Sequence, residues 1–426
     1  MLSFKIAVML GVVCAAEPPL TVPFRQGSIT EKCLLRNTFT KCVRQKRLVI
    51  GVIGNSVTYG APSNAERIDS YYVRLADWFR KRFPEAAIDV RTGIIFAVGP
   101  EVQLFRMDDK LLAFNPDLVV AEFGAANAAW GDKGRGVTDP ATEGYVRRLR
   151  CLRPEADLLF NLGLFTTMMG DYRSGRTPGT ADFIHRLAEH YYFPVTDSGE
   201  AIARRVLSGE PWEKFMTDGI HPSKGGYDVH GRVIEEELDR QWALYQALPA
   251  HERAVAAIPC PKSTVFPSPW EWPHLEPAGI VDKTNGFKAG AHGRVKFIKG
   301  GPGASGVFTP PRGTVVGILH QAGDSPHSTP GGELEVRLDG NGEWISLPLR
   351  NEPRFLEEDD RSNYFQRQFF GGYGLPPSGC RSLEFRVAES PVGAVARIVG
   401  FFVVQPGPEP TNSTATPGNP GGPIPE

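Results

Sequence analysis

The sequence has almost no net charge, few cysteines and no long apolar run after its first residues, and each lack closes a class of function. In 426 residues, 47 Lys and Arg stand against 48 Asp and Glu, a formal net charge of −1. Such a balance offers no basic field to hold nucleic acid or an anionic membrane surface, so neither is expected as a partner. No stretch beyond the first residues approaches the ~20 apolar residues that a membrane span needs, so stable membrane insertion is not expected. The six cysteines include no Cys-x-x-Cys pair and no Cys/His cluster with zinc spacing, so a structural metal is not indicated. Function must come from a local site.

The one early apolar run, 6–13, follows Lys5 and precedes Cys14-Ala15-Ala16, small residues ahead of Glu17. That order reads as a signal peptide, residues 1–16, cleaved near Ala16, and places the mature chain in a secreted or periplasmic setting. A lipid anchor on Cys14 is the rival reading, opposed by the bulk of Val13. Without Cys14, the cysteines are Cys33, Cys42, Cys151, Cys260 and Cys380, an odd set that cannot pair completely within one chain. Cys33 and Cys42 are close enough in sequence to form a disulfide after export.

What is present is 41% hydrophobic residues, enough for a substantial core, in a chain long enough for two folded units. After a lead-in segment, 17–45, apolar runs alternate with amphipathic segments over 46–250, the pattern of a parallel sheet covered on both faces by helices. Strands are expected at 48–53, 88–90, 118–123, 158–162 and 193–195. Tyr72, Leu75 and Phe79 fall at i, i+3 and i+7 and define a helix that stops before Pro84. Further helices are expected at 143–150, 181–191 and 226–246. Prolines accumulate over 251–269, read as a linker. Short alternating strands follow at 315–319, 334–338, 383–387 and 396–404, the signature of a β-sandwich over 270–405. Residues 406–426, rich in Pro, Gly, Asn, Ser and Thr, read as a flexible tail.

Three polar features lie at the expected carboxyl ends of strands or before the last helix. Ser56, in Gly54-Asn55-Ser56-Val57-Thr58, follows the first strand, where small residues let the chain turn and present a hydroxyl. Alone it would read as a helix cap. Asn127, in Gly124-Ala125-Ala126-Asn127, follows the third strand and offers a side-chain amide that could donate to an oxyanion; alone it would be a turn residue. Asp218-Gly219-Ile220-His221 precedes the last helix; an Asp three residues before a His can orient one ring nitrogen and leave the other to accept a proton.

In this order the three blocks resemble the SGNH (GDSL-type) hydrolase superfamily. The resemblance implies a three-layer α/β/α domain of flavodoxin-like character, with Ser56 as nucleophile, His221 as general base and then acid, Asp218 orienting it, and no cofactor. It also implies a backbone N–H that completes the oxyanion hole with Asn127; aligning 91–99 without gaps puts Ala97 where the family has glycine, and a shifted alignment nominates Gly99. The sequence departs from the family at Asn55 and Ala128, both usually Asp. The β-rich segment looks like the companion domain of SGNH-type esterases acting on carbohydrates, with Trp270, Trp272, Trp344 and Tyr373 as candidate sugar-stacking rings or core residues. His185, His190 and His230 on helices, and Arg106 paired with Asp108 or Glu122, read as structural.

These expectations converge on an exported carboxylic ester hydrolase removing short acyl groups, O-acetyl foremost, from a carbohydrate or other small ester. A lipase-like acylhydrolase or lysophospholipase is the rival enzyme. A carbohydrate-binding protein with a decayed esterase domain is the rival from another class, kept open by Asn55, Ala97 and Ala128.

Overall fold

In the computed structural model, β1 (Arg47–Ile53) is buried from Ile50 onward, as a strand must be when helices cover both faces of its sheet. The structure describes residues 32–60, 70–95, 98–124, 128, 131–267, 269–270, 272–292, 295–322, 333–348, 366–369, 380–389 and 395–405. The segments read as signal peptide and tail therefore lie outside the described residues, as do Ala97, Asn127 and Tyr373.

Four more strands join β1: β2 (Ala87–Thr92), β3 (Leu118–Ala121), β4 (Asp157–Asn161) and β5 (Val195–Thr196). All pair parallel, in the order β2-β1-β3-β4-β5. This is the flavodoxin-like order, and its reversal between β1 and β3 opens a crevice at the carboxyl ends of those two strands. The turn with Ser56 leaves β1 at that crevice.

The helices are α1 (Arg36–Thr40), α2 (Ser56–Tyr59), α3 (Tyr71–Arg82), α4 (Pro100–Phe105), α5 (Met107–Lys110), α6 (Gly131–Leu152), α7 (Met169–Arg173), α8 (Gly179–Tyr191), α9 (Ser198–Leu207) and α10 (Lys224–Ala247). Leu48, Ile50, Val52, Leu118 and Val120 meet Phe39 of α1, Leu75 and Phe79 of α3, and Ile234 and Leu238 of α10. On the opposite face, Ile53, Val119, Ala121 and Phe160 meet Leu104 of α4, Val137 and Tyr145 of α6, and Ile184 and Leu187 of α8. The expected Tyr72, Leu75 and Phe79 stripe is the buried face of α3, which ends at Arg82 because Pro84 disfavours helical geometry at Phe83, the residue before it.

The start of one helix and the pairing of two cysteines depart from the sequence reading. Helix α6 begins at Gly131, twelve residues before the expected start, through Gly134, Gly136 and Pro140. Pro140 supplies no N–H to the helix, yet its carbonyl accepts from Trp270 N at 2.9 Å, so packing from outside the helix offsets poor local propensity. Cys33 and Cys42 are both free; the Cys33 thiol donates to the Gln241 carbonyl and Cys42 is buried in the core, so the suggested disulfide is not formed.

The C-terminal region packs two antiparallel sheets. One has the order β13 (Asn341–Pro348), β12 (Glu333–Leu338), β15 (Leu383–Val387), β10 (Ser305–Phe308), β7 (Lys283–Asn285). The other runs β14 (Gln366–Phe369), β11 (Thr314–Ala322), β16 (Ala396–Val404), β9 (Val295–Gly300), β8 (Lys288–His292), and β6 (Pro273–Pro277) also pairs with β16. Alternate residues Leu383, Phe385 and Val387 point into a core where Phe308 stacks on Phe401 at 4.1 Å between ring centroids.

The stretch read as a linker is tied to the first domain. Ala256 exchanges two hydrogen bonds with the Asn37 side chain, Ile258 N donates to the Pro154 carbonyl, and the Arg147 guanidinium donates to the Pro261 carbonyl. The buried Glu143 carboxylate of α6 accepts from Val265 N, Phe266 N and the Tyr191 hydroxyl. A buried carboxylate is stable only when its oxygens are met in this way. Trp270 is 1% exposed within the core of the α/β domain, which removes it from the candidate sugar-stacking rings. Trp344 lies under the guanidinium groups of Arg337 and Arg386, at 4.7 and 4.1 Å from its ring centroid, and Trp272 under that of Arg148 at 5.5 Å.

Candidate active site

Ser56 sits at the first position of α2. The Asn55 side chain, standing where Asp was expected, caps that helix by accepting from Val57 N at 2.9 Å and carries no charge. The turn into α2 requires glycine at 54: a Cβ there would lie 1.9 Å from the Thr58 hydroxyl oxygen. The Gly54 carbonyl accepts from Ile95 N at 3.0 Å and from the Gln103 side-chain nitrogen at 2.6 Å. On the other side, the Tyr227 hydroxyl donates to the Val57 carbonyl at 2.8 Å and the Ser70 hydroxyl to the Thr58 carbonyl at 2.6 Å. The serine is thus presented on backbone held by four donors from outside the turn.

His221 comes from the loop before α10. Its own carbonyl accepts from Thr217 N and the Thr217 hydroxyl, and Met216 bridges to Pro222, closing a tight turn. Helix α10 is capped by the Ser223 hydroxyl accepting from Gly226 N, and Tyr227 follows one residue later, so one short segment supplies both the imidazole and a strut under the serine turn.

The two sequence blocks meet. His221 Nε2 lies 2.9 Å from Ser56 Oγ, and His221 Nδ1 lies 2.7 Å from Asp218 Oδ2. A carboxylate can only accept, so Nδ1 carries the proton and Nε2 presents its lone pair to the serine hydroxyl. Asp218 Oδ1 accepts from Ile220 N at 2.8 Å and from His221 N at 2.7 Å. Partial burial works to raise the Asp218 pKa, but these backbone bonds and the imidazole outweigh it and hold the carboxyl below its ordinary value of 3.8. The chain Asp218–His221–Ser56 can therefore take a proton from Oγ as that oxygen attacks an electrophilic carbon, and return it to a leaving group.

For the oxyanion candidates, Ala97 and Asn127 lie outside the described residues, and Gly99 is described. Its N–H donates to the Glu101 carboxylate at 3.2 Å, next to the start of α4, so that donor already has an acceptor. Ala128 is 6% exposed in the core, an apolar residue suited to its packing. Asp108, a suggested partner of Arg106, receives two bonds from Arg148, and Glu122 accepts from Gly163 N.

Sequence reasoning misses Gln103, Tyr227, Ser70 and Tyr71, whose partners are backbone or neutral groups and leave no charge pattern. Tyr71 bonds the Thr58 hydroxyl at 2.9 Å and stacks on His230, which is fully buried. His230 Nδ1 lies 2.9 Å from the Asn161 side-chain nitrogen, while Asn161 Oδ1 accepts from the Thr196 and Ser198 hydroxyls, so Nδ1 is the acceptor and the ring is neutral. Burial, opposed by the Asp197 charge, pushes the His230 pKa from 6.5 down to about 3. Because the folded value is depressed, its contribution to stability is full above pH 6.5 and lost as pH falls toward about 3, at roughly 1.4 kcal/mol per pH unit. His230→Gln keeps an acceptor for Asn161 but cannot titrate. Denaturant unfolding at stepped pH should show a shallower loss of stability between pH 6 and 4 in that variant; equal slopes would contradict the assignment.

Residues 52–229 match the family model described as GDSL-like Lipase/Acylhydrolase. Among solved structures the chain is similar to a two-domain esterase active on acetylated mannans. The complex of that esterase with mannopentaose is 18% identical, with a TM-score of 0.63, over 88% of this chain and 96% of that one. A second structure of it is 19% identical, with the same TM-score and coverage. No curated protein matches the sequence significantly. The strand order, the matched segment and the two-domain likeness agree: an α/β domain with the fold of SGNH-type esterases, similar over residues 52–229 to the GDSL-like lipase/acylhydrolase family, is followed by a β-sandwich domain.

Proposed function

We propose that this chain is an exported serine esterase that removes short acyl groups, acetyl foremost, from a carbohydrate through an acyl-enzyme on Ser56. The observation that carries the proposal is the unbroken link from Asp218 Oδ2 through His221 to Ser56 Oγ, at 2.7 and 2.9 Å. Oγ attacks the ester carbonyl and its proton passes to His221 Nε2; the carbonyl oxygen becomes an oxyanion. Collapse of that intermediate expels the sugar alkoxide, which takes the proton from His221. Water then attacks the acyl carbon, His221 accepts its proton and returns it to Ser56, and the carboxylic acid leaves. The Ser56 N–H, at the first position of α2, has no acceptor within the helix and is one donor for the oxyanion. Asn127 and Ala97 are proposed as the others.

The likeness to an esterase active on acetylated mannans supports a carbohydrate ester as substrate, and the apolar run before Ala16 supports export as a mature chain starting near residue 17. We place the hydrolase domain at 46–250 and the β-sandwich at 270–405. The test is acetate release from a panel of acetylated glycans by the wild type and Ser56→Ala, with p-nitrophenyl esters of increasing chain length alongside. Ser56-dependent acetate release, and rates falling steeply beyond butyrate, are expected. A preference for long acyl chains would favour the lipase-like reading, and glycan binding with no hydrolysis would favour a decayed enzyme.

A further inference from the structure

The β-sandwich touches the hydrolase domain close to the serine turn. Strand β6 packs against α4, and the ring of Phe402, on β16 and 5% exposed, meets the ring of Phe105 at 4.8 Å between centroids. Trp270 lies on the same ring at 6.5 Å. Two residues before Phe105 on this six-residue helix is Gln103, 1% exposed, whose amide nitrogen reaches the Gly54 carbonyl at 2.6 Å. That carbonyl can only accept, so the nitrogen of the amide must face it, and the Gln103 oxygen is left buried without a partner among the described residues.

A half-satisfied buried amide is a poor choice for stability alone; leucine would fill the space with no polar atom to strand. The bond it makes is to the peptide two residues before Ser56, in a turn so tight that residue 54 has no room for a Cβ. The other donor to that carbonyl, Ile95 N, continues the β1/β2 ladder, in which Gly93 N donates to the Val52 carbonyl. The Gln103 support of the serine turn therefore depends on where α4 sits, and α4 is pressed from outside by Phe402.

We infer that the β-sandwich domain is a working part of the hydrolytic site, acting through Phe402, Phe105 and α4 so that Gln103 holds the Gly54 carbonyl and positions Ser56. Gln103 is a positioning residue and touches no substrate. The inference rests on Ser56 being the nucleophile, as proposed above.

The test uses the full chain with p-nitrophenyl acetate, a substrate too small to need glycan binding by the β-sandwich. Gln103→Leu should lower kcat about tenfold with KM changed less than about twofold, and should not lower the melting temperature. Phe402→Leu should give a similar fall in kcat, with Phe402→Met as companion should the leucine variant melt below the assay temperature. The double variant should stay near a tenfold loss rather than about a hundredfold, because both changes act through one contact. Wild-type kcat in the Phe402 variants, an activity loss in Gln103→Leu that only tracks lost stability, or multiplying effects would overturn the inference. Those outcomes would leave Ser56-dependent hydrolysis intact, whereas a wild type whose hydrolysis does not depend on Ser56 would remove the reading beneath it.

Discussion

Ser56→Ala should lower kcat for ester hydrolysis by a factor on the order of a million, since in the proposed mechanism nucleophile and base act as a unit and removing the nucleophile alone forfeits nearly all they supply. That factor corresponds to about 8 kcal/mol of transition-state stabilisation. The cost to the fold should be small by comparison. Ser56 is partly exposed, its hydroxyl bonds only to His221 among the described contacts, and a single such bond is worth about 1 kcal/mol. Alanine at the first position of α2 leaves the Asn55 cap, the Tyr227 strut and the Gly54 carbonyl bonds in place. A near-complete loss of turnover with an unchanged melting curve is therefore the expected pair of results, read by p-nitrophenyl acetate hydrolysis and thermal unfolding of the same preparation.

Asp218→Asn should be the next most damaging change, at about ten-thousand-fold in kcat, and it would act through the position of a proton. The introduced amide could still accept from Ile220 N and His221 N through its oxygen, so the loop would keep its shape. Its NH2 would then occupy the place of Oδ2 and face His221 Nδ1. Two donors cannot share that contact, so Nδ1 gives up its proton, Nε2 takes one, and the lone pair that should receive the serine proton is gone. The wild-type arrangement also has a pH signature. Because the folded Asp218 carboxyl is held below its ordinary value, the bonds it makes stabilise the loop above that value and are lost as pH falls through the folded one. Asp218 is largely solvent-exposed, so this contribution is screened and should appear in the acid limb of activity rather than in global stability. Comparison of kcat profiles from pH 3 to 6 for the wild type and Asp218→Asn measures it.

Legibility follows the physics of each element. Strand β15 stands where alternation places it, because one buried face imposes a period of two on the sequence, whereas β16, buried on both faces over 400–403, is readable as an apolar run. The sheet's central strands are readable as apolar runs, and α3 as a stripe ending before a proline. Only the second half of α6 is legible, because its first turns are held by packing against the segment around Trp270 rather than by helix-forming residues. Helix α9 escapes the sequence reading although Asp197 caps it by accepting from Glu200 N, since the short strand before it hides the boundary. Within the site, Ser56, Asp218 and His221 can be found because their chemistry needs particular side chains in a particular order. Gln103 and Tyr227 cannot, because any residue that reaches a backbone carbonyl with a donor would serve, and sequence carries no mark of which carbonyl lies in reach.

The central claim is that Ser56, activated by His221, supplies the atom that attacks the ester. Labelling with a fluorophosphonate, followed by mass mapping of the modified peptide, tests it most directly. One label per chain is expected, on Ser56, acquired rapidly by the wild type and lost in His221→Ala. A label on another residue, or rapid ester hydrolysis by a protein that takes up no label, would contradict it.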